Sequence, residues 1–427
     1  MTSTPDDAPD SASNRRVLSA SLVGTAVEFY DFYIYATAAA LVFPDLFFPK
    51  SSDSAQLLQS YATFAVAFFA RPVGAAVFGH FGDRIGRKST LVASLLTMGL
   101  STFLIAFLPS YALVGWVAPA LLCLLRVGQG FGLGGEWGGA ALLAVENAPP
   151  GWRARFGMFP QLGAPVGFIA ANGLFLLLGL FLTAEDFQAW GWRLPFLASA
   201  ILVGVGLWVR LRIGETPAFQ KVLAQSETSH VPMAEVVLRH PGALIGGTLA
   251  AVACFAVFYI STAFALGYGT KVLGYSRETF LQVQLGAIIF MAAGIITAGY
   301  AADATTSRRV LMGGCLATVG VGAVMAGMMG AGSLVMVWAW LSLALFVMGF
   351  VYGPLGAFLP SLFPPRVRYT GASMVFNVGG IIGGGLTPVI AQSLANAGGL
   401  VPVGGYLAGA AALSFVGLLT LRTRFED

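Results

Sequence analysis

The chain has 427 residues and a formal net charge of +4; 57% of its residues are hydrophobic and 10% are charged, and its mean hydropathy is +0.80. A soluble chain carries roughly a quarter charged residues, so this composition argues against a water-soluble enzyme and for a protein that crosses the membrane several times. The small basic excess is then a question of position along the chain, and not a signal for nucleic acid.

Residues 1–16, MTSTPDDAPDSASNRR, are polar and lack the short apolar core of a cleavable leader; they are expected to form a disordered cytoplasmic tail. Beyond them, apolar runs of bilayer length, about 20 residues, occupy 17–43, 56–80, 89–108, 112–142, 157–182, 191–211, 242–267, 279–301, 309–330, 334–360, 369–393 and 403–421. The runs are continuous and not alternating, which predicts helices and not a β-barrel. The longest polar interruption, 213–241, is read as a cytoplasmic linker between a six-helix bundle over 17–212 and a second over 242–427. With the N-terminus placed inside, seventeen of the 23 Lys and Arg fall on inner ends and loops, and only Lys50, Arg193, Lys271 and Arg277 fall outside. That bias predicts that both termini are cytoplasmic.

The halves echo each other. GHFGDRIGRKSTL (79–91) aligns with GYAADATTSRRVL (299–311), matching Gly79 to Gly299 and Asp83 to Asp303, and PPGWR (149–153) aligns with PPRVR (364–368). Each echo falls at the same loop of its half, as expected of a carrier built from two repeats.

Five charged residues lie well inside predicted spans: Glu28 and Asp31 in the first, Arg71 in the second, Arg126 and Glu136 in the fourth. Each costs at least about 2.5–3.5 kcal/mol to place at mid-membrane, so each should pair, face a cavity or carry function. The guanidinium fork of Arg71, followed by Pro72, suits a carboxylate; the alternative is a structural pair with an acid such as Glu28. Glu136 lies about 15 Å along the helix from Arg126 at 1.5 Å per residue. It reads either as an inner proton site or as a brace for the basic loops. Glycines at 128, 130, 132, 134, 135, 138 and 139 should thin the fourth helix so that neighbours approach it closely. The second half has no mid-span charge and offers neutral groups such as Tyr259, Gln284 and Asn377. Cys123, Cys254 and Cys315 fit neither a zinc site nor a disulfide framework. No phosphate-binding loop, metal-ligand cluster or nucleophile–base arrangement is visible, which argues against an ATP-driven pump and against an enzyme.

GHFGDRIGRK and RVGQGFGLG (126–134) resemble the signature loop and fourth-span motif of the major facilitator superfamily. GTAVEFYDFYIY (24–35), FFARPVGAAVFGHFGDRIGRK (68–88), GGEWGGAALLAVENAPP (134–150), FPQLGAPVGF (159–168) and LFPPRVRYTGAS (362–373) narrow the resemblance to the metabolite:proton symporter family, whose members carry shikimate, α-ketoglutarate, citrate, proline or betaine. The resemblance implies an all-α fold of twelve transmembrane helices in two pseudo-symmetric bundles. It also implies proton-coupled alternating access in a bacterial inner membrane, by a monomer that needs no cofactor beyond the proton gradient. Its substrate is expected to be a small mono- or dicarboxylate, with a zwitterionic osmolyte or amino acid as the alternative.

Candidate substrate contacts are Arg71, Arg126, Tyr33, Gln161, Tyr259 and Asn377. Candidate proton-coupling residues are Asp31, Glu28, Glu136 and Arg126; the resemblance places Arg126 beside a first-span carboxylate, where a guanidinium would govern the proton affinity of its neighbour. Gly79, Asp83, Arg84, Gly86, Arg87, Asp303 and Arg368 are the expected gate. The second-half loop lacks the glycine and arginine pairing of DRIGRK, which predicts a weaker gate there.

Overall fold

A computed structural model describes residues 11–85, 87–211 and 232–421, with the side chains at 11–17, 83–88 and 210 outside that description. All twelve expected spans are helices. They are α1 (Ser11–Leu41), α2 (Asp53–Ile85), α3 (Arg87–Ile105), α4 (Val117–Val145), α5 (Arg153–Phe181), α6 (Arg193–Leu211), α7 (Pro241–Lys271), α8 (Arg277–Ala304), α9 (Ser307–Met329), α10 (Leu334–Ser361), α11 (Pro365–Gly398) and α12 (Leu400–Thr420). Among the described residues nine of these are long and apolar enough to cross a bilayer by themselves. The other three have identifiable reasons. α1 carries Glu28 and Asp31, the apolar part of α3 is the short stretch Ser89–Ile105, and α6 follows a helical turn at 47° to it.

Two segments expected to lie outside the bundles contain helix where they are described. Helix α1 is described from Ser11 onward, inside the segment expected to be a disordered tail. The expected linker lies outside the described residues up to 231, and its last part is a short helix, Pro232–Arg239, in which Glu235 accepts from Arg366 Nε at 2.6 Å.

The internal symmetry announced by the loop echoes governs the packing. In the first half α1 packs on α5 and α6, α2 on α4, and α3 on α4 and α6; in the second half α7 packs on α11 and α12, α8 on α10, and α9 on α10 and α12. Each pair in one half has its counterpart six helices later. The seam obeys the same rule, with α2 against α11 and α5 against α8.

Glycine makes the tightest of these contacts possible. A Cβ on Gly134 of α4 would overlap the carbonyl of Arg71 on α2, and one on Gly349 of α10 would overlap the carbonyl of Met291 on α8. Backbones that touch in this way gain van der Waals contact that lipid cannot supply, which is what holds helices together inside a bilayer. Cys254 and Cys315 are buried, Cys123 is half-buried, and all three are free thiols.

Candidate transport site between the two bundles

The five mid-span charges all point inward. Arg126, Asp31 and Glu136 are fully buried, Glu28 and Arg71 nearly so. None is spent on lipid, so the desolvation cost is borne for a reason internal to the protein.

Arg71 stands at the seam. Its guanidinium lies 4.5 Å from the ring centres of both Phe32 on α1 and Phe68 on its own helix. Phe68 in turn packs on Tyr259 and Phe255 of α7, at 5.5 and 6.5 Å between centroids. Glu28 and the phenols of Tyr33, Tyr259 and Tyr352 lie within electrostatic range of Arg71. Among the described residues Arg71 has no hydrogen-bond acceptor, and its buried Nε is unsatisfied. Tyr352 Oη is buried and unsatisfied too, the nearby Trp137 Nε1–H being donated to Gln161 at 3.1 Å. A buried guanidinium without an acceptor is costly, and faces of aromatic rings offset only part of that cost.

Arg126 shares Phe32 with Arg71, at 5.2 Å, and lies 3.7 Å from the ring centre of Tyr35. It donates to Gln129 Oε1 at 2.6 Å and to the carbonyl of Phe64 at 3.0 Å. The expected side-chain contact between Arg126 and Asp31 is not formed. Asp31 turns to the rear of α1, where its Oδ1 accepts from Ser199 Oγ of α6 at 2.6 Å, and Gln129 stands between the two charges. Glu136 also faces into the first bundle, its Oε1 accepting from Ser94 Oγ of α3 at 2.6 Å.

The other expected substrate contacts lie along the seam and are engaged across it. Gln161 donates to the carbonyl of Tyr352 at 3.2 Å, and Asn377 donates to the carbonyl of Gly134 at 3.0 Å. Tyr33 stacks on Phe258 of the opposite half at 5.2 Å, and with Thr37, Asn172, Thr262 and Gln284 it lines a cavity of about 10 Å³, room for about one water. Trp137 stacks on Phe376 at 3.8 Å. Gln129, Trp137, Phe32 and Phe68 fall within the motif stretches but were not singled out as site residues, and Tyr352 and Phe64 carried no sequence signal. In a chain with 33 Phe, an aromatic facing the seam reads the same as one facing lipid.

Both ends of the seam are bridged. At the end that holds the second-half loop, Asp303 of α8 accepts from the backbone N–H groups of Ala154 and Arg155 at 2.9 and 3.1 Å and from Arg155 Nε at 2.7 Å. It therefore caps the N-terminus of α5, a helix of the other bundle, where an anion is favoured. The second-half loop, which lacks the glycine and arginine pairing of DRIGRK, is engaged by an arginine of α5 in the other bundle. At the same end Tyr369 Oη donates to the carbonyl of Gly135, Gly79 abuts Thr370, and Arg368, nearly buried, donates to the carbonyl of Phe363 at 3.1 Å. Gly86 and the side chains of Asp83, Arg84 and Arg87 lie outside the described residues. At the far end, Tyr61 Oη donates to the carbonyl of Ala263 at 2.7 Å and Arg277 covers the ring of Phe187 at 3.8 Å.

Asp303→Asn keeps an acceptor at the helix end but loses the charge, and with it about 1–3 kcal/mol of charge-assisted bonding. It is expected to shift the population about tenfold or more toward conformations open at this end. Spin labels at the exposed positions Trp152 and Thr305 would report a longer distance distribution; an unchanged one would remove Asp303 from the gate.

Residues 17–231 match the family model described as sugar (and other) transporter. The chain is 50% identical over 423 residues to the inner membrane metabolite transport protein YhjE of Escherichia coli (strain K12), covering 97% of this chain and 96% of that protein. It is 38% identical to the shikimate transporter of the same organism, over 92% of this chain and 91% of that one. It is 29% identical to a proline/betaine transporter of Salmonella typhimurium, over 90% and 78%. Among solved structures, the xylose transporter XylE from E. coli in a partially occluded inward-open conformation superimposes with a TM-score of 0.71 over 96% of this chain and 97% of that chain, at 16% identity; this likeness concerns the fold alone. Twelve helices in two packed halves, a buried charged seam and these relatives together place the chain in the sugar (and other) transporter family of the major facilitator superfamily, as a multi-pass membrane transporter and not an enzyme.

Proposed function

We propose that this transporter is a proton-coupled symporter that carries a small organic acid across the bacterial cytoplasmic membrane, with both termini on the cytoplasmic side. The observation that carries the reading is Arg71, a buried guanidinium at the seam with no hydrogen-bond acceptor among the described residues. A substrate carboxylate would accept from its fork and replace the hydration that burial removed. Tyr33, Tyr259 and Tyr352 surround that position with phenols from both halves, so a bound acid would touch both bundles and be handed over as they rock. Asp31, Glu28 and Glu136 are the carboxylates available to carry the proton.

A second reading has its own observation. Phe32, Phe64, Phe68 and Tyr259 form a cluster with ring centroids 5.2–6.1 Å apart, and aromatic faces also receive quaternary ammonium groups. The two guanidiniums already pressed on these rings favour the acid. Thermal unfolding of the purified protein with shikimate, 2-oxoglutarate, citrate and glycine betaine separates the two. Stabilisation by a carboxylate, with uptake into proteoliposomes that draws protons in, is the expected result. Stabilisation by betaine alone would replace the acid with the osmolyte, and uptake without proton movement would remove the coupling.

A further inference from the structure

Arg126 and Asp31 are both fully buried, yet the cation and the carboxylate do not meet. Gln129, one turn beyond Arg126 on α4 and itself fully buried, occupies the space between. Its Oε1 accepts from Arg126 Nη1 at 2.6 Å. Its Nε2 donates to Thr102 Oγ1 of α3 at 2.6 Å and lies 3.5 Å from the backbone carbonyl of Asp31. Oδ2 of Asp31 is buried with no geometrically formed hydrogen bond among the described residues, although the Thr102 hydroxyl lies close to the carboxylate. The titratable groups within electrostatic range of Asp31 are Glu136 of α4 and the neighbouring Tyr30; Arg126 reaches it only by way of Gln129, which lies against the Asp31 backbone carbonyl. Glu28 precedes it by one turn on α1, and α3 and α6 present the hydroxyls of Thr102 and Ser199.

We propose that Gln129 is a positioning residue that passes the protonation state of Asp31 to Arg126 by reversing its amide. This rests on the proton-symport reading above and names the element that would couple the two ligands. An amide suits the task because it presents an acceptor at one end and a donor at the other. While Asp31 is ionised, its charge favours the N–H end of Gln129 toward α1, and the carbonyl end then holds Arg126 back from the seam. A proton on Asp31 removes that preference and makes the carboxyl a donor. The amide turns its oxygen toward Asp31 and Thr102, its N–H groups now oppose the guanidinium, and Arg126 is released to a substrate carboxylate beside Arg71. No proton leaves Asp31 in this step. The sign is that of a symporter: the proton raises affinity for the acid, and the acid raises affinity for the proton.

The test is the pH dependence of acid binding, with shikimate as the first probe, measured on purified full-length protein in mildly acidic and mildly alkaline buffer. The wild type is expected to bind about tenfold or more weakly in the alkaline buffer. Gln129→Leu, which cannot restrain Arg126, is expected to bind with the same affinity in both, within about twofold. In proteoliposomes it should exchange shikimate across the membrane but fail to accumulate it on a pH gradient. Should Gln129→Leu not fold, Thr102→Val, which removes the hydroxyl that holds the Nε2 end from another helix, is expected to shrink the pH effect severalfold. A variant profile as steep as the wild type's overturns the role of Gln129 and leaves symport standing; a flat wild-type profile overturns the symport reading and this inference with it.

Discussion

Arg71→Lys is expected to weaken binding of the transported acid by about a hundredfold, equivalent to roughly 2.8 kcal/mol at 1.4 kcal/mol per decade, while the unfolding temperature stays within a few degrees of wild type. The two effects separate because of what Arg71 touches. Its contacts within the protein are the faces of Phe32 and Phe68, and a lysine stem and ammonium keep the charge and part of that packing. A lysine cannot offer two parallel N–H groups to a carboxylate, so the loss falls on the ligand. Titration of the purified variant with the acid that most stabilises the wild type measures it. An affinity within threefold of wild type would show that the guanidinium is not the carboxylate's partner, and Arg126 would inherit the role.

Asp31→Asn is expected to reduce accumulation driven by a pH gradient to background while leaving exchange of preloaded substrate within about threefold of wild type. Asparagine has nearly the shape of the carboxyl and the neutrality of its protonated form, and Ser199 Oγ can still donate to its oxygen. The variant can therefore pass through every loaded conformation. It cannot release a proton, so the empty return that makes transport concentrative is blocked. Exchange should also lose its dependence on pH, because the titrating group is gone. Accumulation at the wild-type level would move the coupling role to Glu28 or Glu136, both of which are buried in the same bundle.

How far the sequence could be read varied with the range over which each signal acts. The spans were legible because about 20 apolar residues must be helical and must cross lipid, whatever surrounds them. The repeat was legible because loop echoes preserve order, and the helix pairings α2–α4 and α8–α10 follow that order. The charges at positions 28, 31, 71, 126 and 136 stood out against an apolar background, and all five turn inward as their cost required. Direction was another matter. Arg126 was expected beside a first-span carboxylate, and it bonds instead to Gln129, which lies against the backbone carbonyl of Asp31. The second-half loop lacks the glycine and arginine pairing of DRIGRK, and that it is met by Arg155 from the other bundle could not be read from the loop itself. Tyr352 and Trp137 passed as ordinary apolar positions, because a seam between bundles and a face toward lipid demand the same residue types.

What the sequence determined by itself is that the protein lives in the membrane, that it is a duplicated twelve-helix carrier, and which few charges must be hidden from lipid. These follow from composition, periodicity and cost, which need no knowledge of neighbours. Only the tertiary structure decided that Arg71 faces the seam with no acceptor among the described residues, that Asp31 looks away from it toward α3 and α6, and that Asp303 caps a helix of the opposite half. Those outcomes depend on the rotation of each helix about its axis and on the close approach that glycines permit, and neither is written in any single span.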